Sequence, residues 1–116
     1  MRDIKSKEDI TRLVEQFYQK VLKDDLLHNF FDGIDFEHHL PKMIHFWSFV
    51  LLNEPGYTND VTKTHINMAI KKEHFDRWIE LFNETVNELF AGEKAETAKQ
   101  RAFLIRWTLE GKIKEK

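Results

Sequence analysis

The chain has 116 residues, 41% of them hydrophobic and 33% charged, which suits one soluble globular core spanning residues 1–116 and leaves no room for a second. A net charge of -2 gives no electrostatic footprint for nucleic acid or an anionic membrane. The absence of cysteine excludes disulfides, thiolate metal sites and cysteine nucleophiles. No apolar run approaches the roughly 18 residues of a membrane span. The charged stretch Met1–Asp9 lacks the apolar core of a signal peptide, so a cytoplasmic location is expected.

Helical periodicity opens the chain. Ile10, Leu13, Val14, Phe17, Tyr18, Val21 and Leu22 repeat at i, i+3, i+4 and i+7. Ser6 and Asp9 supply an N-cap and a partial capping box, and the helix is predicted to end near Asp24–Asp25. The stretch Leu26–Asp35, with Phe30, Phe31 and Gly33, reads as a corner with one helical turn. A second helix is predicted over Phe36–Leu52, with Leu40, Met43, Ile44, Trp47, Val50 and Leu51 inward and Pro41 near its first turn. Turn residues fill Asn53–Lys63, and His65 opens a short segment ending at Ile70. A third helix, about Glu73–Phe90, carries Phe75, Trp78, Ile79, Phe82 and Val86 at helical spacing, with Gly92 as its stop. The fourth, about Lys94–Gly111, stacks Ala95, Ala98, Ala102, Ile105 and Leu109 on one stripe that permits close helix approach. The fold class is all-α.

Six histidines invite metal chemistry, yet the spacings are poor. The Glu-x-x-His pairs of carboxylate di-iron bundles are absent, as is the His-Glu-x-x-His zinc motif. His38 and His45 can share a helix face, but a pair without a third ligand makes a weak zinc site. Ser6 and Ser48 lack a nucleophile-elbow context. What stands out is one histidine after a loop, a set of aromatics and a few inward polar groups. Tyr18 lies on the apolar face of the first helix, where a buried hydroxyl needs a polar partner. His39 opens the second helix with Met43 one turn later, and Trp78 lies on the apolar face of the third. Ten Phe and three Trp suit either a dense core or a flat apolar ligand.

The ordered string Phe17-Tyr18, His39-Leu40-x-x-Met43-x-x-Phe46-Trp47, His65, Phe75-Asp76-x-Trp78-x-x-Leu81-Phe82 and Gln100-Arg101-Ala102 resembles the group III truncated haemoglobins from about Ile10 to Leu109. The glycine pairs of the other truncated groups are missing, in keeping with group III. The resemblance implies a two-over-two helical sandwich around haem b. It makes His65 the protein ligand to iron and puts Tyr18, His39 and Trp78 on the distal side. It also sets Phe31, Met43 and Phe46 against the haem and Lys42 within reach of a propionate. His28, His38, His45 and His74 match no ligand position. For His39 several roles stay open: hydrogen-bonding the ligand, gating, swinging to solvent, or coordinating iron when ligand is absent.

By the same resemblance, the expected ligands are dioxygen, CO, NO and similar small molecules. An NO-dioxygenase or peroxidase-like activity would require an electron donor on a separate, unidentified reductase, because nothing in the chain resembles a flavin or nicotinamide domain. The rival reading is a haem-free helical interaction module, in which Tyr18, His39 and Trp78 are core or groove residues.

Overall fold

Ser6 and Asp9 close the reciprocal box expected of them. The Asp9 N–H donates to Ser6 Oγ at 3.3 Å while the Asp9 carboxylate receives the N–H groups of Lys5 and Ser6, and Arg2 pairs with the same carboxylate. In the computed structural model, which describes residues 1–31, 35–55 and 71–114, helix α1 starts from this box and runs Lys7–Lys23. Its inward face is Ile10, Leu13, Val14, Phe17, Tyr18 and Val21, all buried. Burying one such side chain contributes about 1.5–3 kcal/mol, so the face rather than intrinsic propensity holds the helix in place. A single 3₁₀ turn, His28–Phe30, forms the corner that follows.

Helix α2 covers Phe36–Leu52, as its pattern predicts, with the Asp35 side chain accepting from the Glu37 N–H at 3.1 Å. Pro41 sits farther into the helix than the expected first turn. Its missing N–H leaves the Glu37 carbonyl without a helical donor; both residues are exposed, so water can reach that oxygen. Asn53 ends the helix in the left-handed conformation, φ 59°, which Asn tolerates better than most residues.

Helix α3 spans Lys72–Leu89 and α4 spans Glu93–Lys114. Phe90 caps α3 with extended backbone, so Gly92 is not the stop signal that its position suggested. Its φ of +141° and its missing side chain serve a different contact: a Cβ there would stand 2.5 Å from Asp3 Cγ. That space lets Asp3 accept the N–H groups of Lys94 at 2.8 Å and Ala95 at 2.9 Å, capping α4 from the other end of the chain. The small residues of α4 do what their stripe predicts, since Ala95, Ala98 and Ala102 are buried. Lys94 Nζ also donates to the Leu51 carbonyl at 2.8 Å, tying α4 to the end of α2.

The pairs α1–α2 and α3–α4 pack within themselves, and α1 against α3 and α2 against α4 join them. This is the two-over-two arrangement, with no strand among the described residues. Asp24 at the end of α1 receives Arg77 Nε of α3 at 2.6 Å, and Lys20 reaches Glu88 at 2.8 Å. No helix of the described residues is long and apolar enough to cross a membrane.

The Asp3 cap generates a first prediction. Asp3→Ala should lower unfolding free energy by about 1 kcal/mol, typical of a lost N-cap. Gly92→Ala, which adds backbone strain and expels the same carboxylate, should cost about 1–3 kcal/mol. Urea midpoints of both variants check this; a Gly92→Ala protein as stable as the parent contradicts it. A second concerns acid. The hydrogen bond from Arg2 holds the Asp9 carboxyl down at about 2, against the cost of burying it. A carboxyl whose folded value lies below the ordinary value of about 3.9 stabilises the fold above that pH, and the stabilisation is lost as pH falls toward 2. The parent should therefore lose Tm between about pH 4 and pH 2, with Asp9→Asn showing a flatter decline over the same range.

Candidate functional site

The inward faces of the four helices form one apolar core with a cleft running into it. Counting its open mouth, this cleft spans about 880 Å³, and its inner free space is about 80 Å³. Helix α1 contributes Val14, Phe17 and Tyr18; the corner adds Leu27, Phe30 and Phe31; α2 adds Met43, Phe46 and Trp47. The opposite wall is the α3 row His74, Phe75, Trp78 and Phe82, and Ile105 and Leu109 of α4 close the end.

The walls are held by ring packing. Trp47 stacks on Phe82 with centroids 5.0 Å apart, and Trp78 lies nearly parallel to the same ring at 6.0 Å. Phe17 meets Trp78 and Phe82 edge-on at 5.9 and 5.3 Å. Edge-to-face and offset arrangements satisfy the ring quadrupoles and contribute about 0.5–1.5 kcal/mol per pair beyond burial. The row is therefore stiff as well as apolar.

Tyr18 sits within a second ring group. Phe31 and Phe36 stand edge-on to it at 5.7 Å each, and the His39 ring does so at 5.2 Å. Its hydroxyl is hydrogen-bonded to His39 Nε2 at 3.0 Å. Burial pushes the phenol well above its ordinary value near 10, because hydrocarbon around it penalises the phenolate. The group stays an O–H, hence a donor, across any working pH.

Of the residues singled out in the sequence, Tyr18, Phe31, Met43, Phe46 and Trp78 line this one pocket, and His39 joins it through Tyr18. Lys42 is exposed and is not part of the lining. His65 lies outside the described residues, as do residues 56–64 before it. Two other histidines are engaged elsewhere. His38 Nδ1 lies 2.5 Å from Asp35 Oδ2, and His45 Nε2 donates to the Pro55 carbonyl at 3.3 Å. No group of three or more His, Cys, Asp or Glu residues able to hold a metal occurs among the described residues. Lining residues to which the sequence assigns no site role include Leu27, Phe30, Leu109 and His74, and for His74 a signal was present. Its spacing of four from Trp78 and eight from Phe82 on α3 was the available signal.

The chain matches the bacterial-like globin family model over residues 3–109. It is 32% identical over 107 residues to the group 3 truncated haemoglobin ctb of Campylobacter jejuni, covering 86% of this chain and 84% of that protein. A group 1 truncated haemoglobin of Tetrahymena pyriformis is 32% identical over 77 residues, 66% of this chain and 64% of its own length. Among solved structures, the group III truncated haemoglobin of Campylobacter jejuni superposes with a TM-score of 0.87 at 30% identity, over 97% of this chain and 95% of that one. The Tetrahymena pyriformis truncated haemoglobin, in an Fe(III) form, gives 0.73 at 23% identity over 91% and 89%, a likeness of fold alone.

Proposed function

The chain belongs to the bacterial-like globins and, within them, to the group III truncated haemoglobins, and we propose that it binds dioxygen and other diatomic ligands at a haem b whose iron is held by His65. The observation that carries this reading is the aromatic slot with the Tyr18–His39 couple in its wall. Among the described residues its lining is hydrocarbon nearly throughout, with side-chain polar atoms from Tyr18, His74 and the indoles of Trp47 and Trp78. A lining of this kind suits the apolar body of a flat macrocycle. Haem, when bound, supplies a ferrous iron that takes up the diatomic ligand and leaves it with partial negative charge.

The chain's own part begins with His65. To ligate iron the imidazole must be neutral, with its second nitrogen donating to a carbonyl or carboxylate that fixes the ring. Phe31, Met43 and Phe46 pack against the macrocycle and keep water from its faces. Lys42, exposed as it is, contributes at most a screened attraction to a propionate.

On the ligand side the donors are Tyr18 and Trp78. The phenol has one proton and two lone pairs. With His39 Nε2 unprotonated, that proton goes to His39. With Nε2 protonated, His39 donates to the Tyr18 oxygen and frees the phenol proton for the ligand. The His39 tautomer thus decides where Tyr18 points its proton, and a bonded chain of this kind polarises the terminal donor further. Trp78 offers an indole N–H that can only donate. Two donors around one ligand favour retention or ligand activation over rapid delivery. Chemistry on NO or peroxide would draw electrons from a separate reductase. We place the protein in the cytoplasm.

The first test is colour. The purified protein should show a Soret band, and His65→Ala should lose or loosen haem; a colourless, folded protein that refuses added haemin overturns the proposal. The second is ligand retention. A hydrogen bond to a charged acceptor contributes about 1.5–3 kcal/mol. Tyr18→Phe should therefore speed dioxygen dissociation roughly ten- to hundredfold, and Trp78→Phe should speed it as well. Stopped-flow rates unchanged in both variants would remove the donor argument.

A further inference from the structure

We propose that His74 is the residue that receives a carboxylate of the bound macrocycle, through an N–H donated from its Nε2 at the outer end of the pocket. This rests on the haem reading above. His74, Trp78 and Phe82 form one row on α3, each one turn after the last, and all three line the pocket. Burial deepens along that row. Phe82 is 1% exposed, Trp78 and His74 are half-buried, and the neighbours Lys71, Lys72 and Glu73 are exposed. His74 therefore marks the mouth, where a macrocycle with an apolar body would leave its carboxylates.

The hydrogen bonding of the ring decides what it can do there. The Lys71 backbone N–H donates to His74 Nδ1 at 2.9 Å. A nitrogen that accepts carries no proton, so the ring's proton is on Nε2. A protonated Nε2 has no lone pair for a metal, and Nδ1 is already used. His74 is thus unsuited to ligate iron and suited to donate to an anion. No described residue accepts from Nε2. The ring is also held still, because Phe30, itself a pocket residue, meets it edge-on at 4.8 Å and 74°. A donor fixed from two sides loses little conformational freedom on binding, and one that meets a carboxylate makes the stronger, charge-assisted kind of bond. Among the described residues, Tyr18 is already bonded to His39, and His74 is the histidine of the lining.

The test crosses a side chain with a ligand group. Parent and His74→Leu proteins are each loaded with haem or with its dimethyl ester, in which both carboxylates are blocked. Transfer to an excess of a scavenging apoglobin is then timed from the Soret band. With haem, the variant should release about tenfold faster, as loss of one charge-assisted bond implies. With the ester, parent and variant should release alike. Because Leu also removes the cap on Lys71, His74→Asn is run beside it: its oxygen can stand in for Nδ1 and accept the Lys71 N–H, yet its shorter side chain has no Nε2 donor, and it should match His74→Leu. Equal release of haem from parent and variants overturns the assignment. So does an acceleration that persists with the ester, which would make His74 a packing residue. A parent that takes up neither compound overturns the haem reading and this assignment with it, whereas a red parent with unaffected variants overturns this assignment alone.

Discussion

Phe17 and Tyr18 are neighbours in sequence, and on α1 they face two different walls of the same slot. Phe17 packs edge-on against Trp78 and Phe82 of α3, while Tyr18 packs among Phe31, Phe36 and His39. Successive helical residues are separated by about 100°, so one turn of α1 reaches both groups of rings, and its own two rings pack on each other with centroids 5.3 Å apart. The rest of the architecture keeps that turn in place. The Asp24–Arg77 bond locks the end of α1 to α3, and the Ser6–Asp9–Arg2 cluster fixes its start. If α1 slid by one residue, Phe17 would take the hydroxyl position and the described lining would lose its phenol.

The charged groups follow a consistent placement. Asp3, Asp9, Asp24, Lys94 and Arg77 all act at helix termini or between helices at the periphery. Among the described residues, the pocket lining has no carboxylate and no lysine or arginine. An unpaired charge in such surroundings would be costly, and it would also compete with the neutral donors that the slot needs. Stability is therefore supplied by ends and edges, leaving the interior free for neutral polar atoms. Asp3 and Gly92 are the clearest case, since a glycine outside any helix permits a carboxylate near the N-terminus to cap the last helix.

Much of this was legible in the sequence because its causes are local. The period of α1, its capping box and the alanine stripe of α4 each depend on residues within a few turns of one another, and all three appear as expected. Gly92 looks like a helix stop in the sequence because its real partner, Asp3, is distant along the chain, and spacing rules carry no information across such a gap. Pro41 was expected nearer the helix start because the rule concerns the lost N–H, whereas the outcome depended on Glu37 being open to water. For the site, the row of aromatics was visible as periodicity, but that they enclose space was not. A stripe facing a cavity and a stripe facing another stripe have the same spacing.

The histidines show the limit most directly. As letters they are alike, and counting or spacing them excluded metal clusters without assigning work to any one of them. What separates them is which ring nitrogen is already committed. His38 uses Nδ1 toward Asp35, and His45 uses Nε2 toward the Pro55 carbonyl. His39 turns Nε2 to the Tyr18 hydroxyl, so its tautomer governs a second donor. His74 spends Nδ1 on a backbone N–H of its own helix, and so carries its proton on the nitrogen that is still available. A histidine's chemistry is thus set by the partner of its other nitrogen. That partner is commonly a backbone group, as for His45 and His74, and a backbone group leaves no mark in the residue order.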